Sequence, residues 1–535
     1  MQMMNQMTAD RIRQRVFVIS LIAMAAAGCS EPRESTMTHY DVLIVGGIVY
    51  DGAPEPGRRT NIGITGDRII SMNAPPQAAA DRIIDASGQL VVPGFIDPHT
   101  HAGADLKDAE RKTNLNYLAQ GVTTVFIGND GGGVPALDGT LQLLKKQGIG
   151  TNVAFFAGHG DIREQVMGLE NRAPTESELQ QMLALTEEQM QGGAVGLSTG
   201  LYYTPGSFSA TDEVVALARV ATEFGGVYDT HMRDEGSYSI GLLASVEETI
   251  TIAAEADIPV HISHLKALGR DVWGQSGDVI TMINAARERG LRVTANQYPY
   301  RASGTRFSAA LIPGWVRADS NEAMFERLEN ADLRDRIRAE METNLWRRGG
   351  AEAMLVTGTD SQWRGMTLAD IAASVQRDSL DAAVEVVREG DPSIASFVME
   401  MPDIQAIALQ DWVMTGSDGS EGHPRKYASY PKAFQDMVVT AKLFPVERFV
   451  YRSSGLVADT FNLCDRGYLE EGRKADVVVL DINNYLPLAD FENPTTLSSG
   501  VVHALVNGAA VISNGEQTGA LPGVVIHRQQ LECGT

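Results

Sequence analysis

Short apolar segments alternate with longer segments of helical periodicity from about residue 88 to about residue 443. In the long segments apolar residues recur every three or four positions, which predicts amphipathic helices, whereas the short segments predict buried strands. Regular alternation of the two indicates βαβ units and a parallel sheet. The candidate strands are 90–96, 123–127, 152–156, 194–198, 226–230, 259–262, 291–295 and 411–415, and helix candidates between them include 137–147, 175–190, 210–224, 245–256 and 279–288.

Eight candidate strands are the number that a (β/α)₈, TIM-like barrel needs. An open doubly wound sheet is the alternative, but no glycine-rich dinucleotide fingerprint follows the first strand, so we favour an α/β barrel over residues 89–445. Segment 306–377 does not fit a simple βα unit, because its stretch 324–345 is charged and helical. We interpret 306–377 as an insertion after the seventh strand, either a lid at the barrel mouth or a solvated helical hairpin.

Short strands also occur at both ends of the chain, outside the alternating region. Segments 41–49, 61–72 and 82–85 come before it, and segments 475–481 and 501–507 follow it. The first group is too small to enclose a core of its own, so we expect it to pair with the second. The sequence therefore predicts a small β-sandwich domain built from residues 39–88 and 446–535.

The N-terminus has the pattern of a secretory signal. Three arginines, the last at position 15, precede the apolar run 16–27, which is too short for a transmembrane helix. The run ends in Ala26-Ala27-Gly28-Cys29, which is similar to a bacterial lipoprotein box with Ala26 in place of the usual leucine. We predict a signal peptide at 1–29 with Cys29 lipidated, a polar tether at 30–38, and an exported protein, periplasmic or membrane-anchored. Secretion without lipid and an uncleaved anchor are the alternatives.

The charge balance limits the classes of binding partner, and the cysteine count limits the number of disulfide bridges. The chain has 44 Lys and Arg against 68 Asp and Glu, a net charge of −24. This balance disfavours nucleic acid and anionic membrane surfaces, which need a positive face, but it leaves room for a small anionic substrate. Beyond Cys29 only Cys464 and Cys533 remain, enough for one bridge and not for a disulfide framework.

Histidine and aspartate side chains recur where the predicted strands end. His99 and His101 follow the first strand, and residues two apart in an extended segment point to the same side. Five of the 10 histidines lie at such ends, and in a barrel the functional groups gather at the C-terminal ends of the strands. The further residues, after strands two, three, five, six and eight, are Asp130, His159, His231, His264 and Asp418.

This set of residue types is typical of a metal-dependent hydrolase. Imidazole and carboxylate ligands suit Zn²⁺ or a similar divalent ion, and a catalytic ion lowers the pKa of a bound water to roughly 7. A carboxylate beside that water can take its proton and later deliver it to a leaving amine. Asp418, alone at the last strand end, fits this role of general acid and base.

The chain resembles the amidohydrolase superfamily and, within it, the D-aminoacylase or N-acyl-D-amino-acid deacylase family. The resemblance implies that His231 and His264 hold a tight zinc ion, with His99, His101 and Asp418 at a second, weaker metal position. It places Lys266, Tyr300 and Arg425 near the substrate carboxylate, and His159 near the scissile carbonyl, where it either polarises the carbonyl or makes only a supporting hydrogen bond. The matching motifs include PGFIDPHTH (93–101), QGVTTVFIGN (120–129), GHG (158–160), GLSTGLYYTPG (196–206), YDTHMRDEG (228–236), ISHLKALG (262–269), YPY (298–300) and TGSDG followed by HPR (415–425).

One position departs from the family pattern. The family has a zinc-binding cysteine where this chain has Asp130, and no lysine between Lys146 and Lys266 is available as a carboxylated bridge. Asp130 is therefore the candidate bridging ligand. A carboxylate is harder than a thiolate, so Mn²⁺, Co²⁺ or Fe²⁺ would compete better with Zn²⁺ at a site of one or two ions.

Three functions remain open from the sequence. The first is a hydrolase of linear amides that deacylates N-acyl-D-amino acids. The second is a dipeptidase or other amide hydrolase of the same superfamily, in which Glu235 or Asp234 receives a free α-amine, unless both are solvated loop charges. The third is a lipoprotein that binds ligands with a degenerate barrel. The expected partner is a small N-acyl amino acid or short peptide, and the oligomeric state is left open.

Overall fold

A computed structural model of the protein describes residues 39–133 and 137–528. The predicted signal peptide, the tether and Cys29 lie outside these residues. The described chain begins with short strands separated by turns. These are β1 (Tyr40–Val45), β2 (Ile48–Val49), β3 (Arg58–Arg59), β4 (Ile62–Thr65), β5 (Arg68–Ser71), β6 (Ala80–Asp85) and β7 (Leu90–Pro93).

The middle of the chain is α/β, as the alternating pattern predicts. Its strands are β8 (Phe95–Asp97), β9 (Val122–Ile127), β10 (Asn152–Phe155), β11 (Ala157–Gly158), β12 (Gly196–Gly200), β13 (Val227–His231), β14 (Val260–Ile262), β15 (Val293–Gln297), β16 (Ala302–Arg306), β17 (Met354–Val356), β18 (Ser393–Phe397) and β19 (Val413–Thr415). Nine of them form two parallel sheets, ordered β10-β9-β8 and β11-β12-β13-β14-β15-β19.

Helices connect these strands, and the five predicted helices are confirmed within a few residues. The second of them shows how its start is encoded: Thr175 and Glu178 form a capping box that satisfies backbone N–H groups at the first turn. The α-helices are α1 (Gly103–Lys107), α2 (Leu115–Leu118), α3 (Leu137–Gln147), α4 (His159–Met167), α5 (Glu176–Gln191), α6 (Thr211–Glu223), α7 (Leu242–Ala256), α8 (Ser276–Glu288), α9 (Phe307–Leu311), α10 (Asn321–Glu329), α11 (Arg334–Arg347), α12 (Leu368–Val375), α13 (Ser379–Arg388), α14 (Met401–Ala408), α15 (Arg425–Ala433), α16 (Val446–Ser453) and α17 (Gly455–Phe461). Short 3₁₀ turns lie at Gly206–Phe208 and Ala351–Ala353, and a π-helical turn at Phe434–Thr440.

The first predicted strand, 90–96, is two strands in different sheets. β7 pairs with β2 and with a strand from the far end of the chain, whereas β8 pairs with β9. Gly94 separates them, and a Cβ there would lie 2.1 Å from Thr123 Oγ1, so only glycine allows this approach. An unbroken apolar run could not show the change of sheet.

The insertion is longer than the predicted segment 306–377. It begins with β16 and ends with β18, which pairs antiparallel with both β16 and β17. It encloses its own apolar core, which includes Phe307, Ile337 and Ile394. The polar strand β16 pairs with a strand some 90 residues later, and no local sequence feature indicates this pairing. The predicted insertion therefore begins after the observed start at β16 and ends before the observed end at β18.

Strands from both ends of the described chain share one sheet. The C-terminal strands are β20 (Val477–Leu480), β21 (Val501–Val506), β22 (Ala509–Ser513) and β23 (Glu516–Gln517). They continue into the N-terminal ones in the order β23-β22-β21-β20-β7-β2-β3, and a second sheet has the order β5-β4-β1-β6. Ile44 and Ile64 of the second sheet and Val479 of the first lie in the same buried apolar cluster. Among residues 39–133 and 137–528, no helix is long and apolar enough to span a membrane.

A buried charge cluster joins the C-terminal strands to the parallel sheet. Asp476, directly before β20, forms an ion pair with Arg466 at 2.8 Å and accepts a hydrogen bond from Asn152 Nδ2, on β10, at 3.1 Å. Arg466 and Asp476 are both nearly inaccessible to solvent. A buried carboxylate depends on such partners, because burial without them is costly.

We therefore expect Arg466→Met to lower the free energy of unfolding by about 3–5 kcal/mol, since it leaves Asp476 buried without its cation. Urea unfolding followed by circular dichroism measures the change. The control is Arg377→Met, which removes an exposed guanidinium 3.5 Å from Glu385 and should cost less than about 1 kcal/mol. Equal stability of the two variants would show that the buried pair does not hold the two regions together.

Candidate metal centre

The ends of the parallel strands bring six predicted ligands together. His99 and His101 follow β8, Asp130 follows β9, His231 ends β13, His264 follows β14 and Asp418 follows β19. They form two groups, within each of which the ligand atoms lie within 4.8 Å of one another. One group is His99, His101, Asp130 and Asp418, and the other is Asp130, His231 and His264.

Asp130 belongs to both groups. Its Oδ1 lies 3.5 Å from His99 Nε2, 3.6 Å from His231 Nδ1 and 3.4 Å from His264 Nε2. Its Oδ2 lies 3.5 Å from His101 Nε2. The carboxylate therefore lies between the two groups, and its bridging of two ions stays a prediction.

Three of these residues have a left-handed backbone conformation. The φ angles are 58° at Asp130, 35° at His264 and 48° at Asp418. Aspartate and histidine adopt this region more readily than most residues, and the surrounding structure offsets the cost that remains. The backbone N–H of His264 donates to Asn296 Oδ1 at 2.9 Å, and that of Asp418 donates to the His99 carbonyl at 3.0 Å. The turns after the strands are thus fixed by hydrogen bonds that aim the side chains at one space.

The unsatisfied atoms of the cluster fit a divalent ion. His99 Nε2, His231 Nδ1 and Asp130 Oδ1 are buried and have no hydrogen-bond partner within the described part of the chain. A buried polar atom lowers the free energy of unfolding unless it has a hydrogen-bond partner or binds an ion. Imidazole nitrogens and carboxylate oxygens that converge in this way are a suitable ligand set for zinc or a harder divalent ion.

The electrostatics keep the acidic ligands ionised. Burial alone would raise the pKa of Asp130, but the imidazoles of His99, His231 and His264 outweigh burial and hold that pKa well below its usual value. The pKa of Asp418 is likewise lowered, because Arg425 and the imidazoles outweigh burial. Burial lowers the pKa of His99 to about 4, so this imidazole is neutral at neutral pH, as metal binding requires.

His264 differs from His99. Burial and the ammonium of Lys266 lower its pKa, but Glu235, Asp418 and Asp130 outweigh them and raise it to about 9. Metal binding at neutral pH would therefore displace a proton from His264.

Glu235 supports the cluster, although the sequence suggested a solvated loop charge or a receptor for an amine. It is buried, and its Oε1 accepts a hydrogen bond from His264 Nδ1 at 2.9 Å and from Lys266 Nζ at 2.5 Å. The carboxylate thus orients the His264 ring with the other nitrogen towards Asp130. Its position four residues after His231 was the available signal. The prediction that Asp234 is solvated is also wrong, because it is buried and accepts backbone N–H groups of its own loop.

Asp229 is a second supporting residue that the sequence analysis missed. Its Oδ1 accepts a hydrogen bond from Ser263 Oγ at 2.8 Å, and Ser263 Oγ lies 3.0 Å from His99 Nδ1. This chain fixes the orientation of the His99 ring. Asp229 precedes His231 by two residues on β13, so strand alternation could have indicated that it faces the same side.

His159 does not join the cluster. Its Nε2 lies 2.8 Å from Glu213 Oε1, and Glu213 also pairs with Arg163. His159 is fully buried and is not among the residues that line the cavity at the cluster. Of the two roles suggested for it, this placement fits the supporting hydrogen bond and not the polarisation of a carbonyl.

The three residues expected near a substrate carboxylate are placed differently from one another. Lys266 and Arg425 line the cavity, and Arg425 Nη1 forms an ion pair with Asp418 Oδ2 at 2.7 Å. Tyr300 does not line it, because its buried ring packs edge-on against His423. Tyr298 lines the cavity instead, with the Arg425 guanidinium 4.8 Å from its ring centre. The Tyr-Pro-Tyr motif could not show which of its two rings faces the ligand.

The cluster lies at one side of a cavity of about 470 Å³. Residues of the insertion also line this cavity, among them Thr305, Arg317, Arg348 and Ile394. The size is that of a pocket for a small organic ligand. Of the two roles predicted for the insertion, a wall or lid over the mouth fits this placement better than a solvated hairpin.

Glu235→Gln tests the supporting role of this carboxylate. The amide keeps the shape but leaves Lys266 without its counter-charge and His264 without a charged acceptor, so we expect zinc affinity to fall by about 10–100-fold. Chelator competition with metal-free protein measures it. Glu248→Gln on α7 is the control, because Glu248 pairs with Arg233 and belongs to neither ligand group. Equal zinc affinity in the Glu235→Gln variant and the wild type would contradict the assignment.

Comparison with known proteins agrees with this geometry. The model of the family described as "Amidohydrolase family" matches residues 82–512. A D-aminoacylase of Alcaligenes xylosoxydans xylosoxydans is 33% identical, over 92% of this chain and 99% of the relative. An N-acyl-D-glutamate deacylase of the same organism is 32% identical, over 92% and 98%.

Solved structures show the same relationship. The N-acyl-D-glutamate deacylase of Bordetella bronchiseptica, solved with zinc and a phosphonate inhibitor, superposes with a TM-score of 0.79 at 31% identity, over 92% of this chain and 100% of that one. A D-aminoacylase described as having a binuclear metal centre gives a TM-score of 0.78 at 31% identity, over 91% and 100%. This chain belongs to the amidohydrolase family and, within it, to the D-aminoacylase and N-acyl-D-amino-acid deacylase group.

Proposed function

We propose that the protein is a metal-dependent hydrolase of linear amide bonds that deacylates N-acyl-D-amino acids. The observation that carries the proposal is the position of Asp418, whose Oδ1 lies 3.1 Å from His101 Nε2 at the metal cluster while its side chain lines the cavity. A carboxylate in this place can reach both a metal site and a bound substrate. The D-aminoacylase and deacylase relatives support the choice of substrate.

The ligand set would hold one or two divalent ions. Asp130, His231 and His264 would hold one, and His99, His101 and Asp418 would share Asp130 around the other. When bound, such an ion polarises a carbonyl oxygen and lowers the pKa of a water. Zinc is the expected metal, as in the Bordetella bronchiseptica relative, and the carboxylate of Asp130 admits Mn²⁺, Co²⁺ or Fe²⁺ as competitors.

Asp418 moves the proton. Its lowered pKa keeps it ionised at neutral pH, so it can accept a proton from the attacking water as the water oxygen bonds to the carbonyl carbon. Asp418 then delivers this proton to the nitrogen as the C–N bond breaks, which gives a carboxylic acid and a free amino acid. Arg425 holds the Asp418 carboxylate in position and, with Lys266 and Tyr298, lines the region next to the product.

The dipeptidase alternative is not favoured. A dipeptidase needs an unpaired acidic group that can bind an α-amine. Glu235 already pairs with His264 and Lys266. The Asp234 carboxylate already accepts hydrogen bonds from the backbone N–H groups of Gly236, Ser239 and Gly241. The binding-lipoprotein alternative does not explain why both groups of candidate metal ligands, Asp418 included, are present together.

We further propose that the two parallel sheets form one closed (β/α)₈ barrel. Only Phe156 separates β10 from β11, and a parallel bridge between Thr100 and Gly419 links the segments that follow the two outer strands, β8 and β19. The shared seven-stranded sheet supports a β-sandwich domain built from both chain ends, but it includes β7, beyond the predicted limit at residue 88, and its C-terminal strands begin only at Val477, after the helices α16 and α17. Export and a lipid anchor at Cys29 stay proposals from the sequence.

Asp418→Asn tests the mechanism. Because the amide cannot accept the proton, we expect the rate of amine release from N-acetyl-D-amino acids to fall by roughly 10²–10⁴-fold. The ion held by Asp130, His231 and His264 should be retained, which metal analysis of the purified variant measures. The control is Asp436→Asn, which removes a carboxylate paired with Lys432 and away from the ligand groups.

The same assay, run with the matched L-enantiomers, tests the substrate class. We expect turnover of the D-compounds alone by wild-type protein. Full activity of Asp418→Asn would remove Asp418 from the mechanism, and equal turnover of the L-compounds would remove the D-selectivity from the proposal.

A further inference from the structure

β12 is a strand of the parallel sheet that supplies no candidate metal ligand. Neither group of ligands includes a residue of Gly196–Gly200. β12 pairs in parallel with β11 and β13, whereas β9, the strand that precedes Asp130, pairs with β8 and β10. Although β12 and β9 are not neighbours in a sheet, the end of β12 contacts the segment that carries Asp130.

That segment, residues 128–132, is here called the Asp130 turn. The N–H of Gly132 donates to the Asn129 carbonyl at 3.0 Å, which closes a turn with Asp130 and Gly131 at its centre. The φ angles are 84° at Gly128, 58° at Asp130 and 76° at Gly131. Glycine adopts positive φ freely and aspartate does so at some cost, so the surroundings have to favour this conformation.

Ser198, on β12, connects the two sides of the Asp130 turn. Its hydroxyl donates a hydrogen bond to the Gly128 carbonyl and accepts one from the Gly131 N–H at 3.2 Å. One hydroxyl can make both bonds, because it has one donor and two acceptor positions. Ser198 is fully buried, so bulk water does not compete for either backbone group.

Gly200, at the end of β12, packs against the same turn. A Cβ at Gly200 would lie 2.1 Å from the Asp130 carbonyl oxygen, and a Cβ at Gly131 would lie 2.8 Å from the Gly200 nitrogen. Because backbone atoms cannot approach a side chain so closely, any side chain at Gly200 would displace the Asp130 turn. β12 therefore holds this turn both by hydrogen bonds and by close packing.

The side chain of Asp130 depends on this turn for its position. Its two oxygens lie 3.4–3.6 Å from imidazole nitrogens of the ligand set, and its Oδ1 has no hydrogen-bond partner within residues 39–133 and 137–528. Asp418 differs, because Arg425 Nη1 lies 2.7 Å from its carboxylate. With no such cation beside it, the Asp130 carboxylate is placed mainly by its own backbone.

We propose that Ser198 and Gly200 are positioning residues of the metal centre. They act through the backbone of Asp130 and place its carboxylate between the two groups of ligands. β12 thus contributes to the centre without binding an ion. The proposal rests on the metal centre of the proposed function and not on the identity of the substrate.

Ser198→Ala tests the role of the hydroxyl. It leaves the Gly128 carbonyl and the Gly131 N–H without their partner, so the turn should move and the carboxylate with it. We expect zinc affinity in both ligand groups to fall by about 10–100-fold, the usual effect of removing a group that orients a ligand. Chelator competition with metal-free protein measures this affinity.

The matched control is Ser454→Ala. Ser454 is also fully buried and donates to a backbone carbonyl, that of Val450, at 2.7 Å, but it belongs to neither ligand group. Both variants should lower the free energy of unfolding of the metal-free protein, which urea unfolding measures. Only Ser198→Ala should lower zinc affinity, and an equal loss in Ser454→Ala would overturn the proposal.

A double-mutant cycle with Asp130→Ala shows whether Ser198 acts through Asp130. In the Asp130→Ala background, Ser198→Ala should change zinc affinity by no more than about twofold, because no carboxylate is left to position. An equal loss in the wild-type and Asp130→Ala backgrounds would mean that Ser198 does not act through Asp130, and would overturn the proposal.

Gly200→Ala gives a second test that removes no polar group. The added methyl should displace the Asp130 turn, lower zinc affinity and shift the visible absorption bands of the Co²⁺-loaded protein. If wild-type protein binds no zinc, the metal centre and this proposal both fail. If the wild type binds zinc and both the Ser198→Ala and Gly200→Ala variants bind it equally well, the metal centre stands and the positioning role fails.

Discussion

One largely buried carboxylate, Asp130, balances four imidazoles at the candidate metal centre. Asp130 lies within 3.6 Å of nitrogens on His99, His101, His231 and His264, which arrive from three different strands. Without its negative charge, these nitrogens would lie together with only Asp418 as a nearby acidic partner, 3.1 Å from His101 Nε2. The left-handed turns at Asp130, His264 and Asp418 are needed to aim the side chains at this point, and the parallel strands hold those turns in place.

The pairing of buried charges also explains how the rest of the cavity is divided. Glu235 holds Lys266 and His264, and Arg425 holds Asp418, so the metal side is nearly self-contained. The same principle applies far from the cavity, where Arg466 and Asp476 connect the C-terminal strands to β10.

The metal ligands could be predicted from the sequence because they follow apolar strands directly, and strand ends converge in a parallel α/β fold. The supporting role of Glu235 was harder to predict, since its position four residues after His231 is the one local signal and its burial beside Lys266 depends on the fold. The choice between Tyr298 and Tyr300 depends on a backbone turn, and the placement of His159 depends on Glu213, 54 residues later. The limits of the insertion depend on the pairing of β16 with β18, which lies about 90 residues later in the sequence.

The central claim is that Asp130 is shared by two groups of metal ligands. Equilibrium dialysis of metal-free protein against Zn²⁺ tests it, with wild type, His101→Ala and Asp130→Ala side by side. His101 belongs to one group, so its removal should weaken binding of one ion and leave the other. Removal of Asp130 should weaken both. If Asp130→Ala binds zinc as the wild type does, or loses only the ion that His101→Ala loses, Asp130 does not bridge the centre.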